Sequence, residues 1–515
     1  MTCPLCGENR QDYLFVRFGM SYFRCPGCGL VTAEDTDKKS NVFIEQKDES
    51  DAGKESSPYQ PSETESNALE NYFAIFKGMG LAGNSQVLLV AEHGSQFISE
   101  GKTSGFSVIN VSDNRSLDKL KSNQTFDAAL LVYQLEKTLQ PEVILKRVHD
   151  HLKPDGLLLV VVPSLDSSAA RMFGSAWTEW RPENRVFFNH LTIQQMLWKS
   201  GFDRLEVQSD QRAHSMAHMN KRAEDFPQTW LTKMVRGLYR VFPGPLRRMR
   251  FSLPSSGLVA IGRKAPASKG QTCSFVVPAY NEARTFRALM SSLLEKSLPE
   301  GARKEIVVIE SNSTDGTHEM VRDFEKYPEV RVIYQDHPRG KGNAVREGFN
   351  SATGEIIVIQ DADLEYDLND LDELLTPLLR YQSTFVLGSR HGGQWKMRQF
   401  TDEKGMSTFF NFGHLLFTGL LNLFYGQRLK DPFTMYKIFR RDCLHQLRLE
   451  ANRFDFDFEL VIKLIRKGYC PKEIPINYRS RSFKEGKKVR VFRDPLTWIW
   501  ALVKYRFAPI YEKSR

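Results

Sequence analysis

The feature that most constrains the fold is a short apolar segment that ends in closely spaced acids. Residues 355–359 have the composition of a buried strand, and Asp361 and Asp363 follow almost directly. Carboxylates at the carboxyl end of a parallel strand face the crevice where open α/β sheets bind ligands. They are also the oxygen ligands that Mg²⁺ or Mn²⁺ takes when it bridges phosphates. Two nearby acids alone are common in solvated turns, so the prediction depends on the neighbouring segments.

Those segments alternate between strand and helix, which predicts an α/β domain with a parallel sheet and crossover helices. Strands are predicted at residues 273–278, 305–309, 330–334 and 355–359, and helices at 285–295, 317–324 and 341–351. Polar motifs stand at the strand ends, at residues 278–282, 310–317 and 360–367. Because parallel strands end at the same edge of a sheet, these motifs are expected to converge on one ligand site.

Chain length, hydropathy and charge limit the number of structural units, the location of the protein and the kinds of partner it can bind. A chain of 515 residues exceeds one hydrophobic core, so three or four units are expected. It has no charge-free apolar run of about 18 residues and no signal-peptide pattern, which predicts a cytoplasmic protein without a transmembrane helix. The net charge is +9, and residues 471–515 hold twelve Lys or Arg against four Asp or Glu. This excess predicts phosphate-bearing partners or peripheral attachment to the inner face of the plasma membrane. No motif supports nucleic acid binding.

Four of the seven cysteines form two C-x-x-C pairs near the N-terminus, Cys3 with Cys6 and Cys25 with Cys28. A glycine follows each pair, and glycine permits the tight turn that aims two sulfurs at one metal. Four thiolates at this spacing predict a zinc ribbon, and the zinc would be structural because no coordination position stays open. The alternative, a pair of disulfides, does not suit a reducing compartment.

The next two regions differ in character. Residues 33–66 are acidic and poor in apolar side chains, which is typical of a flexible linker. Residues 67–264 have an α/β pattern, with strands predicted at 87–91, 106–111, 126–133 and 157–162 and a helix at 141–152.

Several motifs of this region carry a resemblance to a known family. They are Phe126-Asp127, Leu152-Lys153-Pro154-Asp155-Gly156, Val162-Pro163 and Ser200-Gly201-Phe202. With the N-terminal cysteines, they resemble class I S-adenosylmethionine (SAM) methyltransferases that carry a zinc ribbon. The family's cofactor loop has an acid and glycines where this chain has Leu89, Ala91 and His93, so the resemblance implies a degenerate Rossmann-like domain that does not bind SAM. A working methyltransferase with an unusual loop is the alternative.

The C-terminal motifs resemble family 2 glycosyltransferases of GT-A fold, and the 361–367 segment is most similar to polyprenyl- and dolichol-phosphate sugar synthases. The resemblance implies a hexosyltransferase that uses a nucleotide-diphosphate sugar and Mg²⁺ or Mn²⁺. It implies Asp363 and Glu365 as ligands of that metal. The residues that it implies for nucleotide binding are Pro278, Tyr280, Glu282, Glu310, Asn312, Lys341 and Asp361. Gly340 and Gly342 are expected to let the backbone approach phosphates.

The same resemblance implies an inverting displacement at the anomeric carbon. The residues that it assigns to catalysis are Asp431, Asp363, Arg390, Arg481 and Lys487. A polyprenyl phosphate acceptor is already an anion and needs no strong base, whereas a hydroxyl acceptor would need one, and Asp431 is the candidate. The apolar residues 409–425 are explained by a buried helix or by a lipid entry at a membrane surface.

The sequence therefore predicts a multi-domain α/β enzyme. The expected parts are a zinc ribbon (1–32), an acidic linker (33–66), a degenerate methyltransferase-like domain (67–264), a second linker (265–271), a glycosyltransferase domain (272–507) and a tail (508–515). Two alternatives stay open. The chain is bifunctional and also methylates a sugar or lipid intermediate, or its front half is a non-catalytic interaction platform.

Overall fold

The computed structural model describes residues 2–36, 63–92, 94–112, 116–121, 123–215, 230–241, 250–266, 270–390, 404–453, 455–479 and 494–512. The chain forms two compact units, Met1–Ala267 and Ser268–Arg515, called here the N-terminal and C-terminal units. Both are mixed α/β structures. Within the described ranges, no helix has both the length and the apolarity that crossing a membrane requires.

The N-terminal unit begins with a four-stranded antiparallel sheet in the order β1-β2-β3-β8. Its strands are β1 (Asp12–Arg17), β2 (Met20–Arg24), β3 (Val31–Asp35) and β8 (Val186–Phe187). β8 comes from the far side of the methyltransferase-like region, and Trp177 and Trp180 pack against Tyr22 and Val31 in one apolar cluster. The cysteine-bearing hairpins therefore share their sheet and core with residues about 150 positions later in the chain.

A six-stranded sheet in the order β5-β4-β6-β7-β10-β9 forms the rest of this unit. Its strands are β4 (Gln86–Val90), β5 (Ser107–Val111), β6 (Phe126–Val132), β7 (Leu152–Pro163), β9 (Phe202–Ser215) and β10 (Arg250–Lys264). Its helices are α1 (Glu63–Gly78), α2 (Gly94–Thr103), α3 (Pro141–His151), α4 (Ser168–Phe173), α5 (His190–Lys199) and α6 (Trp230–Val241). The first four strands of the sheet run parallel to one another, and β10 runs antiparallel to both of its neighbours, β7 and β9. The four strands predicted here are all present.

The C-terminal unit is built on a seven-stranded sheet in the order β13-β12-β11-β14-β16-β15-β17. Its strands are β11 (Thr272–Ala279), β12 (Arg303–Glu310), β13 (Val330–Tyr334), β14 (Ile356–Ile359), β15 (Phe385–Ser389), β16 (Lys437–Arg440) and β17 (Lys472–Pro475). Its helices are α7 (Phe286–Glu295), α8 (Thr317–Arg322), α9 (Lys341–Ser351), α10 (Leu371–Leu379), α11 (Lys404–Tyr425), α12 (Phe456–Arg466) and α13 (Asp494–Phe507). The predicted alternation from β11 to β14 is confirmed, and β13 and α9 have the predicted bounds.

The sheet is mixed, whereas the sequence predicted a parallel one. β16 runs antiparallel between β14 and β15, and β15 pairs in parallel with β17. All four residues of β14 are buried because helices cover both faces of the sheet. The carboxyl end of β14 and the partly buried acids that follow it thus form the polar edge of an apolar layer.

Candidate functional site

Three loops meet at the carboxyl edge of the C-terminal sheet. β11 lies between β12 and β14, so the strand order reverses there, which is where open sheets form a ligand crevice. The Asn281 backbone N–H donates to Ser313 Oγ at 3.0 Å, which ties the β11 loop to the β12 loop. Thr285 Oγ1 donates to the carbonyl of Ala362 at 2.7 Å, which ties it to the acidic loop after β14. The structure thus brings together the loops that the sequence placed at one site.

The two acids of the D-x-D run have different partners. Lys341, the first residue of α9, donates from Nζ to Asp361 Oδ1 at 2.5 Å. Burial alone would lower the pKa of Lys341, but Asp361 and Asp457 raise it above its ordinary value, so this ammonium stays charged. Asp363 Oδ1 accepts the Glu365 backbone N–H at 3.2 Å, and Glu365 Oε2 accepts the Tyr478 hydroxyl at 2.6 Å.

Glu310 has a different environment from the one expected of a nucleotide contact. Its side chain is fully buried, and it accepts the backbone N–H groups of Asn312 and Ser313 and a hydrogen bond from His318 Nδ1. Burial would raise the pKa of Glu310, but these hydrogen bonds hold it below its ordinary value. Glu310 therefore shapes the loop and presents Asn312, which is exposed at a φ of 57°. Tyr280 is exposed at the edge of the crevice, and Pro278 and Glu282 are partly buried beside it.

The two glycines of the 339–344 turn approach protein rather than open space. A Cβ at Gly340 would lie 2.4 Å from the carbonyl oxygen of Asn452, and one at Gly342 would lie 2.6 Å from that of Ala451. The expectation that the backbone here approaches phosphates stays a prediction, and the structure gives these glycines a packing role as well. They let the start of α9 pack against residues 451–452 and so fix where Lys341 begins the helix.

Arg390 and Asp431 form a buried ion pair. Asp431 accepts from the Arg390 backbone N–H at 2.9 Å, from Nε at 2.8 Å and from Nη2 at 2.7 Å. The side chains are 6% and 0% exposed. Burial would lower the pKa of Arg390, but Asp431 raises it well above its ordinary value. His414 Nε2 also lies 3.8 Å from Asp431 Oδ1. The roles expected of the pair, a leaving-group contact for Arg390 and a general base for Asp431, stay predictions.

Sequence reasoning missed a second buried pair at the base of the site. Lys437 on β16 donates to Asp457 on α12 at 3.0 Å, and both side chains are almost fully buried. Burial lowers the pKa of Lys437. The only sequence signal was the run Phe456-Asp457-Phe458-Glu459, in which acids alternate with large apolar residues. Arg481 and Lys487, which the sequence assigned to phosphate contact, lie outside the described residues.

The four N-terminal cysteines form a separate site. No disulfide joins them, and their sulfurs all lie within 4.8 Å of one another. Cys3 Sγ is 3.5 Å from Cys28 Sγ, and Cys6 Sγ is 3.5 Å from Cys25 Sγ. Four thiolates around zinc at Zn–S distances of about 2.3 Å stand ~3.8 Å apart, which is close to this arrangement. Gly7 and Gly29 have φ values of 75° and 82°, as the predicted turns require. The cluster can therefore hold zinc.

The N-terminal unit has its own crevice between the carboxyl ends of β4 and β6. In class I methyltransferases, this is the edge where the fold implies SAM. Here Lys137, after β6, forms an ion pair with Glu92, after β4, across that edge. The Asn110 side chain covers the start of α2, where a Cβ at Gly94 would lie 2.0 Å from its amide nitrogen. Leu89 is buried in the core. Among the described residues of this crevice, Leu89 stands where the family has a strand-end acid and Asn110 covers the turn at Gly94, and both differ from the pattern that binds SAM.

Comparison with known proteins agrees with both resemblances. Residues 274–448 match the family model described as glycosyl transferase family 2, and residues 57–207 match one described as methyltransferase domain. The C-terminal unit therefore contains a family 2 glycosyltransferase domain, and the N-terminal unit contains a methyltransferase-like domain.

The chain is also similar to curated glycosyltransferases. The chain is 30% identical over 241 residues to glycosyltransferase AglD of Haloferax volcanii, which covers 45% of this chain and 36% of that protein. It is 27% identical over 241 residues to a dolichol-phosphate mannosyltransferase of Pyrococcus furiosus, which covers 45% of this chain and 64% of that protein. It is 27% identical over 221 residues to dolichyl-phosphate beta-glucosyltransferase ALG5C of Trichomonas vaginalis, with 40% and 64% covered. The chain thus spans less than two thirds of each of these relatives.

Proposed function

We propose that the C-terminal unit is a metal-dependent hexosyltransferase that moves a sugar from a nucleotide-diphosphate sugar to a polyprenyl phosphate. The observation that carries this proposal is the placement of Asp361 and Asp363 at the end of buried β14, beside the strand-order reversal, with Asp361 in contact with Lys341. An acid pair with an adjacent lysine suits a divalent cation bound to a diphosphate. The relatives named for dolichyl-phosphate sugar transfer support the same reaction type.

Different residues at the crevice would contact the nucleobase, the sugar and the diphosphate of the donor. Asp363 and Glu365 would hold Mg²⁺ or Mn²⁺, and this cation would neutralise charge on the departing diphosphate. Asp361 would contact the ribose or sugar, and Lys341 would add positive charge near the phosphates. Tyr280 and Asn312, which are exposed on neighbouring loops, would contact the nucleotide.

The reaction is a displacement with inversion. An acceptor phosphate oxygen forms a bond to the anomeric carbon while the bond from that carbon to the nucleoside diphosphate breaks. The electron pair leaves with the diphosphate. No proton has to be removed, because the acceptor is an anion. Asp431 already accepts three hydrogen bonds from the Arg390 cation, which makes its carboxylate a weaker base and supports a phosphate over a hydroxyl acceptor.

Two helices of the C-terminal unit supply a surface for a lipid acceptor. α11 and α13 pack together through Tyr425, whose hydroxyl donates to the carbonyl of Leu502 at 2.7 Å. On their outer faces, α11 exposes Leu423 (77%) and α13 exposes Trp500 (67%) and Phe507 (81%). Trp500, Val503 and Phe507 recur at helical spacing, and Lys504 and Arg506 lie in the same turns. An apolar stripe flanked by cations suits peripheral binding to the anionic inner face of the plasma membrane.

The N-terminal unit is proposed to be non-catalytic. The bridging of its crevice by Glu92 and Lys137 supports this assignment over a bifunctional enzyme. A zinc-stabilised platform is the function that remains for it.

An acceptor comparison tests the proposed transfer. The wild-type chain is incubated with Mn²⁺ and a panel of nucleotide sugars, with a polyprenyl phosphate, the matching free polyprenol, or soluble sugars as acceptor. We expect a glycosyl-phosphoryl-polyprenol by mass spectrometry from the phosphate and no product from the free alcohol. Transfer to a soluble sugar with none to the lipid phosphate would contradict the proposal and return Asp431 to consideration as a base.

A further inference from the structure

Two hydrogen bonds from the residues that follow β17 hold Glu365, a proposed metal ligand. The Tyr478 hydroxyl donates to Glu365 Oε2 at 2.6 Å, and the Arg479 backbone N–H donates to the Glu365 carbonyl at 3.0 Å. An isolated antiparallel bridge joins Tyr366 to Tyr478. The acidic loop after β14 is therefore attached to a segment more than 100 residues later in the chain.

The loop needs such an attachment because its own backbone is strained. Leu364 adopts a φ of 56°, in the left-handed region that a branched apolar residue rarely occupies. This turn directs the Glu365 N–H back to Asp363 Oδ1. A conformation of this kind persists only where surrounding contacts over-determine it, and the contacts from residues 478–479 do so.

The Tyr478 ring is held as firmly as its hydroxyl. The Arg390 guanidinium carbon lies 5.3 Å from the ring centroid, and the Tyr366 ring packs on it at 5.3 Å between centroids. Arg390 is in turn fixed by its hydrogen bonds to buried Asp431. A rigid chain of contacts thus runs from Asp431 through Arg390 and Tyr478 to the Glu365 carboxylate.

We infer that Tyr478 is a positioning residue for the divalent cation, an inference that rests on the proposed function. By donating to Oε2, its hydroxyl fixes the rotation of the Glu365 carboxylate. Outer partners of this kind orient a ligand and make it a better one, and their loss costs about 10–100-fold in metal affinity. The buried Arg390–Asp431 pair then acts on the cation through the tyrosine ring rather than on the leaving group directly.

Metal binding without turnover tests this assignment. Binding of Mn²⁺ to the full chain is measured by electron paramagnetic resonance in the presence of an equimolar mixture of UDP and GDP. Tyr478→Phe is expected to weaken Mn²⁺ binding about 10-fold or more. Tyr436→Phe is the matched control, because Tyr436 lies in the same tyrosine cluster and its buried hydroxyl has no hydrogen-bond partner among the described residues. Its Mn²⁺ affinity should equal that of the wild type.

A double-variant cycle separates action through Glu365 from any other role. In a Glu365→Gln background, Tyr478→Phe should cause little further loss of Mn²⁺ binding. Equal losses in both backgrounds would overturn the inference, as would an unchanged affinity in Tyr478→Phe. Unfolding of Tyr478→Phe by near-ultraviolet circular dichroism would overturn it too, since the hydroxyl would then hold the fold. A wild type that binds neither nucleotide nor Mn²⁺ would instead remove the proposed function and the inference together.

Discussion

Replacing Asp431 with Asn distinguishes a structural role of Asp431, as the buried ion-pair partner of Arg390, from a role as catalytic base. The substitution keeps the size of the side chain but places an amide N–H₂ where a carboxylate oxygen accepts from Arg390. Asp431 now accepts three hydrogen bonds from Arg390, and neither side chain is more than 6% exposed. The variant leaves a buried guanidinium without its counter-charge. Breaking a buried pair in this way costs about 3–5 kcal/mol of stability.

The assay is urea unfolding of the full chain, followed by hydrogen exchange in peptides from β15 and α12 so that the C-terminal unit is observed separately. Asp323→Asn is the control. Asp323 pairs with Arg287 at 2.6 Å, but both side chains are more than half exposed, so its loss should cost less than about 1 kcal/mol.

A catalytic role for Asp431 as general base predicts a different result from a structural role. If Asp431 removes a proton from the acceptor, Asp431→Asn should keep its stability, lose turnover and lose the acidic limb of its pH–rate profile. An unfolding free energy within about 1 kcal/mol of the wild type, together with that kinetic signature, would refute the reasoning.

Three further predictions concern the N-terminal unit. Burial raises the pKa of Glu136 to about 8, so the native state keeps a proton that the unfolded state releases, and stability should fall by on the order of 4 kcal/mol as pH rises from 4.5 to 8. Glu136→Gln should therefore be more stable than the wild type at pH 8.5 but not at pH 4.5 in thermal melts, and the opposite order would contradict this. Purified, reduced protein should contain about one zinc per chain by elemental analysis, and chelation should increase hydrogen exchange in β1–β3; metal-free protein with unchanged exchange would count against the ribbon. Calorimetry should detect no SAM binding, and micromolar affinity would restore the bifunctional alternative.

The motif-bearing half of the C-terminal sheet was predictable because its signals are local. Each strand from β11 to β14 is an apolar run that ends in a polar motif, and crossover helices separate them. β16 was not predictable in the same way. It has four residues, and its ends are Lys437 and Arg440, which sequence rules place at the surface but which are buried here. Lys437 is compensated by Asp457, and Arg440 donates to the carbonyl of Leu378 at 2.7 Å. Such compensation depends on distant residues, so no window of sequence reveals it.

The candidate site shows the same division. The sequence identified the acids at 361–365 and Lys341, because their chemistry and spacing are unusual on their own. It did not reveal that Glu310 is turned inward to hold its loop, or that Arg390 and Asp431 satisfy each other. Burial decides between a ligand contact and an internal contact, and burial follows from packing across the sheet. The two-residue strand β8 (Val186–Phe187), which pairs with β3 and so completes the sheet of the cysteine-bearing segment, was missed for the same reason.

Metal-dependent nucleotide binding tests the central claim most directly. The full chain is titrated with UDP and with GDP by calorimetry, with and without Mn²⁺, and Asp363→Ala is measured in parallel with Asp323→Asn as control. We expect one nucleotide to bind to the wild type and to the control only when Mn²⁺ is present, and to bind poorly to folded Asp363→Ala. Metal-independent binding, or equal binding by wild type and Asp363→Ala, would contradict the placement of the donor site at the carboxyl end of β14.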